Sequence, residues 1–248
     1  MWGAACDEVG AALPADRMRP RTRPDSTMNP DRPNSLNRMQ TFLNITMSLD
    51  GFVAGPNITL EQPLGEGGEE LHEWGVRLRS WREQHGYEGG DRGPDDEIMR
   101  TAQERAGAFV MGRRMFSGGD GPWEEDPKAN GWWGDDPPFG APVYVVTHHA
   151  REPLQLGDTT FHFVDGIEDA IRQAREASGG RDVQVSGGAS VAQQALNAGL
   201  LDELQIHVAP MLLGDGVRLF DRAEPRPIEL TRTVASPSVT HLFYAVSR

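Results

Sequence analysis

Strand-like and helix-like patterns alternate along this chain from residue 40 to its end, and this alternation is the strongest constraint on its fold. Several of the apolar segments are apolar at successive positions, which is typical of strands buried on both faces of a sheet. This pattern predicts an α/β domain with helices packed on a mostly parallel sheet. The expected strands are TFLNITM (41–47), AFVMG (108–112), APVYVVT (141–147), TFHFV (160–164), RDVQVS (181–186), ELQIHVAPMLL (203–213) and VTHLFYAVS (239–247).

Two of the segments between these strands have the apolar period of helices. No helical pattern separates the strands near 203–211 and 239–247, so we expect those two strands to form an antiparallel pair at one edge of the sheet. No internal repeat of about 20 to 50 residues is visible, which excludes solenoids and propellers. The helical stripes are Ile98, Met99, Ala102 and Ala106, and Ile167, Ala170, Ile171 and Ala174.

Charge and cysteine content exclude several classes of function. The formal net charge of -13 disfavours a nucleic-acid partner, because binding a phosphate backbone needs a basic surface. The single cysteine, Cys6, excludes an internal disulfide and a cysteine-rich metal site, and we expect no bound metal. No run of about 18 apolar residues occurs, so we expect no membrane span. The opening residues lack the apolar core of a secretory signal, which predicts a cytoplasmic protein.

Prolines interrupt the first part of the chain so often that neither a helix nor a strand can propagate there. We therefore expect residues 1–38 to form a disordered tail before a domain that spans residues 39–248. Met28 or Met39 is then a candidate for the true translation start, since the first strand begins directly after Met39. The prolines are Pro14, Pro20, Pro24, Pro30 and Pro33.

Gly187 and Gly188 stand between the strand RDVQVS and a helix that carries Val191 and Leu196. A helix N-terminus presents unpaired backbone amides and the positive end of the helix dipole, and glycines let a ligand approach the main chain closely. The two glycines therefore indicate a phosphate-binding turn, although a simple turn explains them equally well. The full G-x-G-x-x-G fingerprint is absent, which argues against an ordinary Rossmann domain.

The strand AFVMG leads through a glycine into Arg113 and Arg114. Arginine at a helix start faces the positive end of the dipole, which is unfavourable unless an anion binds there. Two guanidinium groups with exposed amides suit a phosphomonoester. The alternative is that both arginines are solvated or pair with nearby acids, such as those of DDPP (135–138).

Polar residues also follow the strand APVYVVT, which ends in Thr147 and continues with His148 and His149. Ligands of open α/β sheets gather at the carboxyl ends of the strands. The hydroxyl and imidazole groups are therefore candidates to complete the same phosphate or ribose site.

Four stretches together resemble the dihydrofolate reductase superfamily. Within it they are most similar to stand-alone relatives of the reductase domain that forms the C-terminal half of the bifunctional deaminase-reductase of riboflavin biosynthesis. The resemblance covers residues 40–247 and implies a three-layer α/β fold, NADPH as the hydride donor and a homodimer. The stretches are MSLDGFVAG (47–55), FVMGRRMF (109–116), VYVVTHHA (143–150) and VSGGASVAQQALNAGLLDELQIHVAPMLLGDGVRLF (185–220).

The resemblance also implies where the dinucleotide binds. The phosphate-binding turn of the family falls on Gly112, Arg113 and Arg114, and its adenosine-phosphate site falls on Thr147 and His148. The glycine loop under the pyrophosphate falls on Gly187, Gly188, Ala189 and Ser190.

Departures from the family pattern limit the reaction. The bifunctional relatives carry a zinc deaminase that needs several cysteines, and Cys6 alone cannot supply it. His72, in LHEW, then has no zinc partners and is interpreted as a residue of a helix surface.

Two carboxylates are candidates to assist protonation of the substrate, Asp50 in SLDG and Asp96 in PDDEIMR. Each also has a structural alternative. Asp-Gly is a common turn dipeptide, whereas Asp95 fits a helix N-cap with Asp96 and Glu97 in its first turn.

Residues 57–95 form a connection far longer than is usual between a strand and a helix. Within it, Leu71, Trp74, Leu78 and Trp81 recur at helical spacings, which predicts one amphipathic helix. We interpret this segment as a packed excursion or a dimer contact, with a lid over the substrate as the alternative. A second loop carries Trp123, Trp132 and Trp133, which could wall the same cleft or simply hold the loop in place.

The residues and the resemblance together favour a reductase that transfers hydride from NADPH to a small heterocycle, or to a related carbonyl or imine. The reaction of 5-amino-6-(5-phosphoribosylamino)uracil reductase is the closest analogy within the resembled family. A non-catalytic ligand-binding protein on the same fold is the alternative. A folate enzyme proper is disfavoured because no pterin-site acid is clearly placed.

Overall fold

A mixed sheet of nine strands forms the centre of residues 38–247, which the computed structural model of the protein describes. Its strands are β1 (Thr41–Ser48), β3 (Ala106–Gly112), β4 (Val143–Val146), β5 (Leu154–Leu156), β6 (Thr159–Val164), β7 (Asp182–Gly187), β8 (Glu203–Ala209), β10 (Ile228–Ala235) and β11 (Thr240–Val246). Their spatial order is β10-β11-β8-β1-β7-β3-β4-β6-β5. In addition, β2 (Phe52–Ala54) pairs with β9 (Val217–Arg218) in a small separate sheet.

The middle of the large sheet is parallel from β8 to β6, and its carboxyl ends therefore lie along one edge. This confirms the predicted α/β class with a mostly parallel sheet. The predicted antiparallel pairing of β8 with β11 is also present. The pair lies toward one edge of the sheet, and β10 adds a further antiparallel strand on the outer side of β11. The sequence pattern hides β10 since both of its faces are largely exposed, including Ile228 and Leu230, and no apolar alternation marks it.

The helices are α1 (Glu73–Val76), α2 (Arg79–Gln84), α3 (Pro94–Arg105), α4 (Arg113–Ser117), α5 (Ile167–Ala177) and α6 (Ala189–Asn197). Successive residues of β1 belong to opposite faces of the sheet, and they join different cores. Leu43 packs in a core built with α5 and α6, whereas Phe42 packs in a core that includes side chains of α3 and α4. The sheet thus has helices on both faces, as expected for three layers.

The predicted helical stripes are largely confirmed. All four apolar residues of the stripe on α5 are buried. On α3, Ile98 and Ala102 are buried, but Ala106 belongs to β3, because the helix ends at Arg105 and the chain turns directly into the strand.

The single amphipathic helix predicted around residues 70–86 was wrong. The chain there forms a 3-10 turn (Glu70–His72) followed by the separate helices α1 and α2, with Leu78 in an extended conformation between them. Three of the four predicted apolar side chains, Leu71, Trp74 and Leu78, are nevertheless buried. Trp74 and Leu78 form a small core with Val239, against which the partly buried Trp81 packs. The helical spacing of apolar residues in the sequence therefore identified the side chains that pack, but not the breaks between the helices.

Within residues 38–247 no helix is long and apolar enough to cross a membrane, and no cluster of His, Cys, Asp or Glu side chains has the arrangement of a metal site. The expected N-terminal tail lies outside the described residues and stays a prediction, as does the choice of translation start.

Candidate active site

The carboxyl ends of three neighbouring strands bring together most of the residues predicted to bind the dinucleotide. Gly187 at the end of β7 is paired with Met111 of β3, and Gly112 is paired with Val146 of β4. A Cβ atom on Gly112 would lie 3.7 Å from the backbone nitrogen of Gly188. The turns after β3 and β7 are therefore in direct contact, and the turn after β4 adjoins them.

Gly187 and Gly188 have different roles in this turn. Gly187 has a φ of 111°, a left-handed conformation that favours glycine, and a Cβ atom on it would lie 3.2 Å from Ile45 Cδ1. Gly188 is exposed and precedes α6, and a Cβ atom on it would meet nothing within 4 Å. The peptide bond between the two glycines is cis. Because a side chain at Gly188 would have free space, the backbone there is open to a ligand.

The N-terminus of α6 begins at this open backbone. Ala189 is buried in the core, whereas Ser190, one residue further, is exposed. The first amides of an α-helix have no partner within the helix and carry the positive end of its dipole. This nine-residue helix therefore presents donors suited to an anion beside Gly188.

Arg113 is buried rather than presented to a ligand. Its Nη2 donates to Asp126 Oδ2 at 2.5 Å, and its guanidinium carbon lies 3.5 Å from the centre of the Trp123 ring. Burial raises the pKa of Asp126, but hydrogen bonds from Ser117 and Arg113 outweigh that effect and hold the pKa below its ordinary value. The structure thus pairs Arg113 with an acid of the following loop, although not with the DDPP acids.

Arg114 points outward and its side chain is 67% exposed. It forms an ion pair with Asp120, which is also exposed. Two consecutive arginines therefore occupy different environments, and Arg114 is the one that a ligand can reach without a rearrangement of the core.

Thr147 and His148 both follow β4 but differ in exposure. Thr147 is buried, and its Oγ1 accepts a hydrogen bond from the backbone of His149 at 3.1 Å. The His148 side chain is almost fully exposed, with its Nδ1 2.7 Å from Asp165 Oδ1. Thr147 thus shapes the turn, and His148 is available to a ligand at its surface.

A cavity of about 300 Å³ lies beside this strand edge, on the face of the sheet that α1, α2 and α3 cover. Ser186, which precedes the two glycines, lines it, so the cavity adjoins the open backbone. Its wall is largely apolar and includes several aromatic side chains, which suit a planar ring. The aromatic residues are Trp74, Trp81, Phe109, Trp133 and Phe139.

A row of polar side chains crosses the sheet at this cavity, and the sequence analysis did not identify it. Asn44 Nδ2 donates to Gln184 Oε1 at 3.5 Å, and Gln184 Nε2 donates to Ser186 Oγ at 3.1 Å. His207 lies on the other side of Asn44. The signal available in the sequence is a polar residue at alternate positions of otherwise apolar central strands, since alternate residues share one face of a sheet.

Neither carboxylate predicted to be catalytic is among the residues that line this cavity. Asp50 accepts hydrogen bonds from Ser48 Oγ at 2.6 Å and from the backbone amides of Leu213 and Gly214 at 3.1 and 2.7 Å. The hydrogen bond from Ser48 contributes most to lowering the pKa of Asp50 to about 2. Asp50 is therefore ionised at neutral pH and holds two loops together.

Asp96 accepts a hydrogen bond from the backbone amide of Ser80 at 2.7 Å and so caps the start of α2. The expected N-cap at Asp95 was wrong. Gly93 holds the cap position of α3 and Pro94 begins the helix, which Pro favours because its missing N–H has no partner in the first turn. The carboxylate of Asp95 instead contacts Ser236 and His241. The catalytic roles predicted for Asp50 and Asp96 stay predictions.

His72 is also placed differently from the helix surface that we expected. It is half-buried in the 3-10 turn and lines the cavity, and burial lowers its pKa. Much of the long connection 57–95 lies over the cavity in the same way, including Trp74, Leu78 and Trp81. The connection therefore packs against the core and covers the cavity at once.

The three loop tryptophans have separate positions. Trp133 lines the cavity and its Nε1 donates to the backbone oxygen of Phe116 at 3.1 Å. Trp123 packs on Arg113 and donates to the backbone of His149 at 2.9 Å. Trp132 contacts Gly118 and Trp133. One of them thus walls the cleft, and the other two hold the loop in place.

A larger groove of about 1110 Å³ lies on the outer side of α2 and α3 and includes Asp96. Its lining is mostly charged and includes no residue of the sheet, whereas Ser186 and other strand residues line the smaller cavity. The smaller aromatic cavity is therefore the better candidate for the site of chemistry.

The parallel sheet between two helical layers, with glycine turns at its carboxyl edge, defines a dihydrofolate reductase-like fold. Residues 40–242 match the RibD C-terminal domain, and the chain belongs to that family. The resemblance seen in the sequence is thereby confirmed.

Similar proteins include riboflavin-biosynthesis proteins and a stand-alone relative. RibD of Corynebacterium ammoniagenes is 54% identical over 54 residues, a match that spans 22% of this chain and only 16% of that protein. The uncharacterised protein YyaP of Bacillus subtilis (strain 168) is 23% identical over 221 residues, which are 85% of this chain and 97% of that protein.

Two solved structures share the fold. A protein of Shewanella sp. PV-4 assigned to riboflavin biosynthesis superposes with a TM-score of 0.57 at 23% identity, and the match covers 85% of this chain and all (100%) of that one. The diaminohydroxyphosphoribosylaminopyrimidine deaminase/5-amino-6-(5-phosphoribosylamino)uracil reductase of Thermotoga maritima gives a TM-score of 0.51 at 14% identity, with 86% of this chain and 58% of that chain covered.

Proposed function

We propose that this protein is an NADPH-dependent reductase that transfers hydride to a small planar nitrogen heterocycle, related to the pyrimidine substrate named for the Thermotoga maritima enzyme. The observation that carries this proposal is the open backbone at Gly188, two residues after Ser186, which lines a cavity with aromatic and polar side chains. Membership of the RibD C-terminal domain family supports it. The protein is proposed to act as a cytoplasmic homodimer.

The residues present fit a dinucleotide. Gly188 leaves space at the main chain, the N-terminus of α6 offers amides for a phosphate, and Arg114 and His148 offer exposed polar groups nearby. NADPH, when bound, supplies a hydride from its nicotinamide ring. The protein's part is to hold the acceptor flat between the aromatic side chains and to orient it through Asn44 and Gln184.

A dihydrofolate reductase proper is not favoured. No Asp or Glu is among the residues that line the cavity in the described part of the chain, so no carboxylate there can contact a pterin ring. Amide and hydroxyl groups form the polar wall instead, and they pair well with a ring that carries both donors and acceptors.

The first experiment introduces a negative charge at the proposed phosphate site. Ser190→Asp is expected to weaken NADPH binding about tenfold or more. Like charges roughly 4 Å apart repel by about 1 kcal/mol in water and by about 4 kcal/mol at a partly buried site. The same change is expected to leave the thermal stability unchanged or slightly higher, since an acid in the first turn of a helix is favourable. Binding is measured by quenching of tryptophan fluorescence during titration with NADPH and with NADH.

Ala198→Asp is the matched control, because Ala198 is exposed at the opposite end of the same helix, away from the glycines. It adds the same charge and is expected to bind NADPH like the wild type. Binding by the wild type would then justify screening pyrimidine and pterin acceptors through the loss of nicotinamide absorbance. Failure of the wild-type protein to bind either dinucleotide would contradict the proposal, and binding without turnover of any acceptor would favour a non-catalytic ligand-binding protein.

A further inference from the structure

A chain of hydrogen bonds runs from the start of α3 to the cavity. Asp95 Oδ1 lies 3.1 Å from His241 Nε2, and His241 Nδ1 lies 2.8 Å from His207 Nδ1. His207 Nε2 in turn lies 2.7 Å from Asn44 Oδ1. His207 and Asn44 line the cavity. Titratable groups therefore connect a half-buried carboxylate with the proposed substrate site.

Both imidazoles are enclosed by the protein. His207 and His241 are directly paired residues of β8 and β11 and are 1% and 0% exposed. The ring of Trp74 packs edge-on against each of them, with 5.4 Å between ring centroids in both cases. Trp74 comes from the long connection that covers the cavity, so the same segment that shields the cavity also shields the histidine pair.

Two arrangements of hydrogen atoms give every hydrogen bond of this network a donor and an acceptor, and the two arrangements differ by one proton. In the loaded arrangement, His207 Nε2 donates to Asn44, His207 Nδ1 accepts from His241 Nδ1, and His241 is an imidazolium whose Nε2 donates to Asp95. In the unloaded arrangement, the amides of Asn44 and Gln184 are both reversed. Asn44 Nδ2 donates to His207 Nε2 and Gln184 Nε2 donates to Asn44 Oδ1, while Ser186 Oγ donates to Gln184 Oε1. His207 Nδ1 then donates to His241 Nδ1, and neutral His241 still donates to Asp95 from Nε2.

The surroundings favour charge on His241 rather than on His207. Burial, together with the neighbouring His241, lowers the pKa of His207 to about 3, so His207 is neutral in both arrangements. Burial has the larger effect on His241 and lowers its pKa below the ordinary value, while the hydrogen bond and charge of Asp95 oppose part of that effect. The other charged side chain that acts on His241 is Arg232 of β10, which disfavours the imidazolium.

We propose that Asp95, His241 and His207 hold one exchangeable proton beside the cavity, and that His207 delivers it to the substrate. This inference rests on the proposed reductase function, in which every hydride added to the acceptor carbon must be matched by a proton. His207 is then a catalytic residue, and His241 and Asp95 are positioning residues that act through it.

The proton transfer balances within this chain. The acceptor first displaces Asn44 Oδ1 as the partner of His207 Nε2–H. The Nε2–H bond then breaks as a bond forms to the nitrogen or oxygen of the acceptor, which uses the electron pair released when hydride adds to the acceptor carbon. The proton on His241 Nδ1 moves to His207 Nδ1, and His241 becomes neutral. Water that enters the cavity after the product leaves restores the proton at His207 Nε2. His207 thus delivers the proton, whereas His241 loses the positive charge.

The first arm of the test is independent of activity. In protein labelled with ¹⁵N at histidine, the ring-nitrogen shifts are followed as a function of pH. We expect His207 to change from its Nε2–H to its Nδ1–H tautomer, without becoming charged, at the same midpoint at which His241 loses its proton. Asp95→Asn is expected to move that midpoint to lower pH, because the carboxylate that stabilises the imidazolium is removed. A His207 ring that keeps one tautomer throughout the range of the folded protein would overturn the proposal.

The second arm is the pH profile of the reduction. The rate is expected to fall as pH rises through the pKa of His241, and this limb moves to lower pH in Asp95→Asn and returns toward the wild-type position in Asp95→Glu. His162→Gln is the control, since His162 stacks on Tyr144 and is not part of the hydrogen-bond chain. This variant is expected to leave the pH profile unchanged. Turnover with the same pH profile in the wild type and Asp95→Asn would overturn the proposal that these residues supply the proton, while leaving the reductase function intact. Absence of turnover with a coupled tautomer change would instead contradict the reductase function alone.

Discussion

Two groups of strand ends lie along the same carboxyl edge of the sheet and use their polar groups in opposite ways. At β7 and β3 the backbone is open, because Gly188 has free space where a side chain would be. At β1 and β8 the edge is closed, because the carboxylate of Asp50 accepts hydrogen bonds from Ser48, Leu213 and Gly214. A polar residue or a glycine at a strand end therefore indicates a ligand only when its polar groups or its open space are not already used by contacts within the protein.

The two consecutive arginines at the open end differ in burial. Arg113 forms its ion pair with Asp126 through Nη2 inside the core, where its Nε and Nη1 have no hydrogen-bond partner among the described residues. Arg114 forms its ion pair with Asp120 at the surface. We infer that Arg113 stabilises the turn and that Arg114 is the arginine that contacts the cofactor. The predictions below test this contrast and then the closed end.

The largest effect is expected from Arg113→Ala. It removes one partner of an ion pair whose side chains are 6% and 2% exposed, and leaves Asp126 buried without its cation. Such a change costs about 3–5 kcal/mol of the free energy of unfolding. Chemical denaturation measures it, with Arg113→Met/Asp126→Leu as the control that removes both charges and recovers most of the loss. A loss below about 1 kcal/mol, the range of exposed pairs, would show that Arg113 is not structural.

A smaller and different effect is expected from Arg114→Ala. Because the pair with Asp120 is exposed, the free energy of unfolding should change by less than about 1 kcal/mol. The affinity for NADPH should fall roughly ten- to a hundredfold, since a hydrogen bond to a charged group contributes about 1.5–3 kcal/mol, while the affinity for NADH stays the same. Titrations with both dinucleotides measure this, with Arg222→Ala as a control for the loss of one exposed positive charge. Equal losses for both dinucleotides would place Arg114 away from the additional phosphate.

The fold and the open end of the site could be predicted from the sequence because their signals are local. The strands and the stripe on α5 follow from residues close together in the chain, and Gly187 and Gly188 stand directly between a strand and a helix. The broken helix near Leu78 and the exposed edge strand β10 were missed, since neither the break nor the edge leaves a change in the apolar period.

The cavity could not be predicted because its polar wall is assembled across the sheet. Asn44, Gln184 and His207 come from three strands, and only the strand order places them side by side. His207 and His241 are 34 residues apart in sequence and become paired only through the antiparallel register of β8 and β11. Each looks in isolation like an ordinary polar residue within a strand. Their joint role depends on tertiary structure that a single sequence does not report.

The smallest effect is expected at the closed end, from the pH dependence that Asp50 contributes. The pKa of Asp50 is lowered to about 2 in the folded protein, against about 3.9 for an unperturbed Asp in an unfolded chain. A carboxyl with a lowered folded-state pKa stabilises the protein above its unfolded pKa, and this stabilisation is lost as pH falls from about 4 toward 2. Asp50→Asn should therefore lower the free energy of unfolding at pH 7 and differ less from the wild type near pH 3. Asp221→Asn, at an exposed position, controls for the loss of one negative charge. If Asp50→Asn abolishes turnover while the free energy of unfolding is unchanged, then the carboxylate serves the substrate, and the closed end is part of the active site after all.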